Sequence, residues 1–383
     1  MTKKKRDYSM QAINNRFFRG IRRFLKSIAF GLNIFTLLLL LSSWLSWTVS
    51  PERVSIFAYI GLGFAFTFIA VILFLFVWSF ARKWKMLAVN VLVILICIKP
   101  IIAYFPVNIF SSKAPEKTLK VMTYNVRGFA WDVNRGWDKK HPMVEYIKSV
   151  DPDIICMQEY LSVGWGVKTN TRNLLKALKK YPYYSMTKLR PGDRYEYGLL
   201  CLSKYPIKKV LPIPIVTSDN GSVLYEIDVD GKRITLINNH LESNRLASDD
   251  KKMYKKFIKQ RDSQMLDEIT HNLERKLGGA YKVRAPQADL IAHYISEQKT
   301  DATIVCGDFN DTPISYTYRT ISKNLVDSYV ETAFGPRITY HENFFWFRID
   351  FIMHSKNVKA YNTTIDKVNF SDHYPVWTCL DLN

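Results

Sequence analysis

Six short segments of this 383-residue chain set an acid, an amide or an imidazole at the end of, or inside, an apolar run: TYNVRG at 123–128, CMQE at 156–159, NNHLES at 238–243, CGDFND at 306–311, RIDFI at 348–352 and SDHYPV at 371–376. Carboxylates gathered in this way can hold a hard cation or take a proton from water. An imidazole beside a carboxylate can be fixed in one tautomer and move a proton. Taken singly, each segment has a bland reading. A GDxN run is usually a turn, SDH says little more, and NNH at a strand end is more often a satisfied structural histidine. A strand that served only the core would scatter such groups at surface turns, so six runs ending alike point to strand ends that converge on one polar cleft.

The elements that must position these groups are legible as apolar runs separated by turns. Strands are expected at Leu119–Asn125, Ile154–Gln158, Gly198–Ser203, Ser222–Val229, Arg233–His240, Ala302–Asp308, Arg348–His354 and Val376–Leu380, and helices at Met143–Val150, Thr171–Lys180 and Pro286–Glu297. Asp230-Gly231 is a hairpin signal. Strands mixed with helices in this order argue for an α/β fold.

In their order along the chain, the six segments resemble the endonuclease/exonuclease/phosphatase superfamily, the fold of DNase I-like nucleases, exonuclease III-type enzymes, inositol polyphosphate 5-phosphatases and neutral sphingomyelinases. The resemblance covers roughly Leu119–Asp381. It implies a four-layer α/β sandwich, two mixed β-sheets flanked by helices, that hydrolyses a phosphate ester with Mg²⁺, or with Mn²⁺ in its place. It further implies Glu159 as the principal metal ligand, with Asn125 and Asp372 supporting the metal region. Asp308 would position or deprotonate the attacking water, and Asn310 would orient the phosphoryl group. His373, held by Asp350, would bind phosphate or act as base, and His240 would stabilise developing charge. Whether Asp308 or the His373–Asp350 pair takes the proton stays open, and Tyr197 and Arg348 are expected to be packing or phosphate-side residues.

Ahead of this domain lies a different kind of sequence. Ile28–Val49, Ile56–Phe80 and Met86–Phe105 are apolar runs long enough to cross a bilayer core of roughly 30 Å at about 1.5 Å per residue. The third is interrupted by Lys99-Pro100, so it kinks, snorkels or inserts part-way. Trp44, Trp47, Trp78 and Trp84 fall near the proposed ends, where an aromatic belt is expected. The first run is too long for the apolar region of a cleaved signal peptide. The expected division is a basic cytoplasmic segment 1–27, three transmembrane helices within 28–110, a linker 111–117 and a catalytic domain 118–383.

Of the 54 Lys and Arg, 14 lie in residues 1–110 beside only 2 acids. Nine of them precede the first run and three more, Arg82, Lys83 and Lys85, lie between the second and third. By the positive-inside rule the amino terminus is cytoplasmic. Three spans of an inner membrane then place the domain outside the cytoplasm, and a third run that fails to cross leaves it cytoplasmic. The five cysteines include four in strand-like runs, and none has zinc spacing. They read as small buried apolar groups.

Between the NNHLES strand and the Pro286 helix, Leu246–Arg284 is long and charged. Met253, Phe257, Leu266, Ile269, Leu273 and Leu277 recur at helical steps, and Lys251, Lys252, Lys255, Lys256 and Lys259 make one end strongly basic. A solvated amphipathic helix is the plainer expectation, and a lid that collects an anionic lipid-linked substrate the sharper one. The expected partners are a phosphate ester, lipid-linked in one reading, and membrane lipids. Nucleic acid is not favoured, because no dense basic-aromatic stripe adjoins the motifs. No obligate protein partner is evident. The alternatives are an envelope nuclease and a non-catalytic ligand-binding or scaffold module. A transporter is disfavoured by three spans without a repeat or an intramembrane acid.

Overall fold

The computed structural model describes residues 3–109, 113–132, 141–162, 171–190, 195–217, 219–244, 263–342 and 346–382. Two six-stranded mixed sheets stack face to face with helices on their outer faces, the α/β sandwich expected. The first sheet runs β11-β12-β1-β2-β4-β3 and the second β5-β6-β7-β8-β10-β9. The strands are β1 Leu119–Asn125, β2 Ile154–Ser162, β3 Tyr183–Lys188, β4 Glu196–Ser203, β5 Ile207–Ile213, β6 Gly221–Val229, β7 Lys232–His240, β8 Ala302–Asp308, β9 Leu325–Asp327, β10 Asp350–Ser355, β11 Lys359–Ile365 and β12 Val376–Asp381.

Each sheet is built around one parallel pair, β1 with β2 and β7 with β8, and each pair is flanked by antiparallel neighbours. β1, β7 and β8 end in Asn125, His240 and Asp308, and Glu159 sits at the irregularity within β2. Val121, Ile154, Tyr225, Ile234 and Ile304 fill the layer between the sheets. Gln158 ties the sheets together beneath the strand ends. Its amide donates to Thr123 Oγ1 at 2.9 Å and, across the interface, to Asn238 Oδ1 at 2.7 Å.

Several expected boundaries shift. β2 runs on to Ser162 past an irregularity between Met157 and Tyr160, and β10 begins at Asp350 rather than Arg348. Strands β3, β5, β9 and β11 were not foreseen. β5 and β11 lie at sheet edges, where half-exposed residues blur the apolar alternation. The helix expected to start at Pro286 is the end of a longer one, Ser263–Ser296. Pro286 faces solvent while Arg284, Ala285, Gln287 and Ala288 are buried, so packing carries the helix through the proline. The five lysines of the charged stretch, with Met253 and Phe257, lie outside the described residues.

Helices α1 Lys3–Thr48, α2 Ile56–Leu62, α3 Phe64–Phe80, α4 Trp84–Ile96 and α5 Ile98–Tyr104 precede the sandwich. They are followed by α6 Pro142–Val150, α7 Thr171–Ala177, α8 Ser263–Ser296, α9 Tyr316–Ile321 and α10 Ser328–Thr332. Over Phe17–Thr48, α1 is long and apolar enough to cross a membrane. The pairs α2–α3 and α4–α5 qualify only as bent spans, with bends of 61° and 68°. The second bend falls at Cys97, so Pro100 sits in the first turn of α5, where its missing N–H costs no helical hydrogen bond.

These helices are part of the domain's packing. Leu37, Leu40 and Trp47 of α1 and Ile101 and Ala103 of α5 share one apolar cluster with Val305, Phe309, Tyr318 and Phe351. Trp47 and Trp78 therefore depart from the aromatic-belt expectation. Both are buried, and their indole N–H groups donate to Pro313 O at 2.7 Å and to Asn33 Oδ1 at 2.8 Å. Beyond α5, Val107 pairs with Phe334 and Asn108 N donates to Ala333 O. The chain leading to the expected linker is thus stitched to the domain, and 110–112 lie outside the described residues.

Candidate active site

One cavity of ≈ 200 Å³ at the strand ends is walled on its polar side by Glu159, Asp308, Asn310, Asp372 and His373. Asn125 and Asp350 stand directly behind them. Of the eight residues expected from sequence, all converge here. They arrive from both sheets, which explains why no two motifs are close in sequence.

The central element is Asp308, at the end of β8 and buried. Its Oδ1 accepts the Asn310 backbone N–H at 2.8 Å, and its Oδ2 accepts the Asn125 Nδ2 amide at 3.0 Å. Asn125 Nδ2 also donates to Glu159 Oε1 at 3.1 Å, while Asn125 Oδ1 accepts from Arg127 N. One amide thus clamps two carboxylates. Burial raises the Glu159 carboxyl, and burial with the Asp350 charge raises that of Asp308.

The backbone contributes through two residues in the left-handed region, Glu159 (φ 50°) and Asn310 (φ 52°). Such conformations cost about 1–3 kcal/mol and need support from their surroundings. The β2 irregularity sets Glu159 towards the cavity, and Asn310 Nδ2 donates to Leu241 O at 3.0 Å. Gly307 before Asp308 has φ 124°, and a Cβ there would collide with the backbone of Asn239 on β7. Only glycine allows β8 to run this close to β7 and carry Asp308 alongside His240.

Asp350 is the register partner of Asp308 across β8 and β10. His373 Nδ1 lies 2.9 Å from Asp350 Oδ2, and its Nε2 lies 3.7 Å from Asp308 Oδ2. Burial alone would lower the His373 ring, but the Asp350 and Asp308 charges outweigh it and push the ring well above its usual range. Asp308, Asp350 and His373 offer ligand atoms within 4.8 Å of one another, a spacing shared by metal sites and hydrogen-bonded triads. The Asp350 bond already occupies His373 Nδ1, which favours the triad.

His240 ends β7, and neither of its ring nitrogens is hydrogen-bonded among the described residues. Its Nε2 is 3.6 Å from Glu159 Oε1 and 4.0 Å from Asp308 Oδ2. Burial lowers its pKa, and the Asp308 charge only partly opposes this.

Sequence reasoning missed several contributors. Arg127 pairs with Asp372 Oδ2 at 3.0 Å and with Glu342 Oε2 at 3.4 Å, although it stands inside the TYNVRG segment. Ser371 Oγ donates to Asn125 O at 2.8 Å and joins the SDH segment to β1. Arg284 of α8, fully buried, donates to Glu242 O and Asn244 Oδ1 and pairs with Asp311. Nothing in its local sequence marks it, because its partners are far along the chain. Arg348 belongs to the packing: it is buried against Asp327 Oδ2 at 2.7 Å and donates to Ala103 O of α5.

The hard oxygen donors of Glu159, Asp308 and Asp372 on one wall suit a divalent cation such as Mg²⁺ better than a softer metal. The His240 nitrogens have no hydrogen-bond partner among the described residues and lie beside both carboxylates.

Comparison with known proteins agrees with the fold. Among solved structures, an endonuclease/exonuclease/phosphatase from Bacteroides vulgatus aligns with TM-score 0.51 and 20% identity, covering 70% of this chain and 100% of that one. The human Nocturnin catalytic domain with bound sulfate aligns with TM-score 0.49 and 16% identity, covering 71% and 96%. A mannosyl-6-phosphatase from Bacteroides thetaiotaomicron aligns with TM-score 0.45 and 19% identity, covering 69% and 100%. No curated protein matches the chain. Residues 24–104 match a domain of unknown function (DUF8431), and residues 122–373, well over half the chain, match the model of the Endonuclease/Exonuclease/phosphatase family. The chain belongs to that family of ester-bond hydrolases, whose members are typically divalent-metal dependent.

Proposed function

We propose that this protein is a membrane-anchored, Mg²⁺-dependent phosphoesterase whose catalytic domain lies outside the cytoplasm. The observation that carries the chemistry is the Asn125–Glu159–Asp308 clamp set beside the Asp350–His373 pair at one cavity. The anchor rests on the apolar length of α1, and its orientation on the basic residues at 1–27 and 82–85.

Glu159, with Asn125 and Asp372, would hold the Mg²⁺, which when bound offsets charge on the phosphoryl oxygens. Asn125 keeps the Glu159 and Asp308 carboxylates together, and Arg127 holds Asp372 in place. Asp308 is the better placed base. Its Oδ1 is steadied by Asn310 N, which leaves the carboxylate to orient a water and take its proton as the water oxygen attacks phosphorus. His373 Nε2 faces the same space with Nδ1 fixed by Asp350, a placement suited to donating a hydrogen bond to a phosphoryl oxygen. His240 and the Asn310 side chain would hold the remaining oxygens while the phosphorus–oxygen bond to the leaving group breaks, the departing oxygen taking a proton from solvent as Asp308 returns its own.

Purified protein in detergent should hydrolyse a panel of phosphate monoesters, diesters and diphosphates only with Mg²⁺, losing activity to EDTA and regaining it on readdition. Hydrolysis at the same rate with EDTA would overturn the metal-dependent reading.

A further inference from the structure

The cavity that holds the catalytic groups has a second wall, and that wall reaches the membrane segment. Besides Asp308 and His373 its lining includes Leu62, Leu277, Tyr281, Phe347 and Ile349. Leu62 is the last residue of α2, at the 61° break before α3. Leu277 and Tyr281 belong to α8, and Phe347 and Ile349 lead into β10.

The break is a built feature. Tyr59 OH donates to Glu274 O of α8 at 2.9 Å, and the Tyr59 ring meets the Tyr281 ring edge-on at 5.6 Å. Ala58, Leu277 and Tyr281 form a buried cluster against which Tyr59 and Leu62 pack. On the other side, Gly61 lies so close to Ser46 of α1 and the Ile314 carbonyl that a Cβ would collide with both. Non-continuous backbone in a spanning segment survives where protein covers it or where it lines a cavity, and here it does both.

Just outside the cavity the same segment is apolar and uncovered. Val54 and Ile56 before the break and Phe66, Ile69 and Leu73 after it are exposed, Phe66 at 79%. Exposed apolar residues of α3 thus follow directly on Leu62, which lines the same cavity as the carboxylates. A water-soluble phosphate ester has no use for such a surface. An ester that carries a hydrocarbon chain does, because taking its methylenes out of water is favourable.

Resting on the phosphoesterase reading above, we infer that Leu62, with Leu277 and Tyr281, forms a hydrocarbon-binding wall by which the active site takes a lipid phosphate ester directly from the bilayer. The phosphate lies against Asp308, Asn310 and His373 and the chain leads out along α2 towards α3. The other source of the same head group, a free water-soluble phosphate ester, is the competing substrate.

The test compares dodecyl with ethyl esters of phosphate, each as the monoester and as the p-nitrophenyl diester, in the same detergent micelles with Mg²⁺. Wild type should favour the dodecyl ester in kcat/KM. Leu62→Asn should cut the dodecyl-to-ethyl ratio of kcat/KM at least tenfold, mainly through KM, Leu62→Ala should cut it less, and Leu62→Met should restore it. An unchanged ratio in Leu62→Asn and Leu62→Ala, with both esters still hydrolysed, overturns the wall and leaves the phosphoesterase reading standing. Hydrolysis of neither chain length by folded, Mg²⁺-loaded wild type overturns both. Should Leu62→Asn not fold, the Ala and Met variants carry the same comparison.

Discussion

Trp47, one residue from the end of α1, donates its indole N–H to the carbonyl of Pro313, three residues beyond Asn310, at 2.7 Å. Next to it, Ser46 Oγ donates to Ile314 O at 2.7 Å. Helix α1 is thereby bonded to the loop that follows Asn310, so the helix and that loop form one packed unit. Trp47→Phe keeps most of the packing but leaves the buried Pro313 carbonyl without this donor. A loss of about 1–3 kcal/mol is expected, measured as denaturant stability in detergent, and an unchanged stability would show the bond to be incidental.

Within the apolar helices, Asn33 and Asn90 exchange paired amide hydrogen bonds at 2.9 Å, and Trp78 donates to Asn33 Oδ1. This joins α1, α3 and α4 at one fully buried point. Asn33→Leu should cost about 1 kcal/mol, the usual scale for polar contacts between helices in lipid. Adding Asn90→Leu should cost little more, because its partner is already gone. A double-mutant cycle in detergent reads this coupling, and additive losses would contradict it.

Gly307→Ala should be severely destabilising, by about 3 kcal/mol or more, since the residue combines φ 124° with backbone contact to Asn239. Circular dichroism and thermal melting of the variant check this. A stable Gly307→Ala protein would mean that β7 and β8 can separate without loss.

Far from the site, His354 Nε2 lies 3.0 Å from Glu331 Oε2, and the same oxygen accepts the Ala360 N–H. Burial alone would raise the Glu331 carboxyl, but these two bonds outweigh it and the folded value is depressed. The stabilisation is therefore fully present above the ordinary glutamate range and is lost as pH falls through the folded value. Glu331→Gln should be less stable than wild type at pH 7, with a difference that narrows steadily in acid. Urea unfolding of both proteins across that range measures it, and a gap that widened in acid would contradict the assignment.

Much of this fold could be seen in the sequence because the central strands are buried on both faces and read as continuous apolar runs. β1, β8 and β7 are of this kind, and each ends in the polar residue that serves the site. β5 and β11, at sheet edges, and the three-residue β9 carry no such run. Asn125, Glu159, Asp308 and His373 were legible because their motifs are local. Arg284 and Gln158 were not, since each acts through partners brought to it by the other sheet or by a distant loop. Trp47 and Trp78 misled for a related reason: an indole near the end of an apolar run suits a membrane interface and a buried hydrogen bond equally well.

The most direct test of the central claim is Mg²⁺-dependent phosphate-ester hydrolysis by wild type, Asp308→Asn and His373→Ala, each shown by melting temperature to be folded. Groups that move or steady a proton in the transition state contribute about 10²–10⁴-fold. Both variants should therefore lose at least about 100-fold in kcat while keeping the wild-type fold. Wild-type rates in either folded variant, or no hydrolysis of any phosphate ester by the Mg²⁺-loaded wild type, would contradict the account.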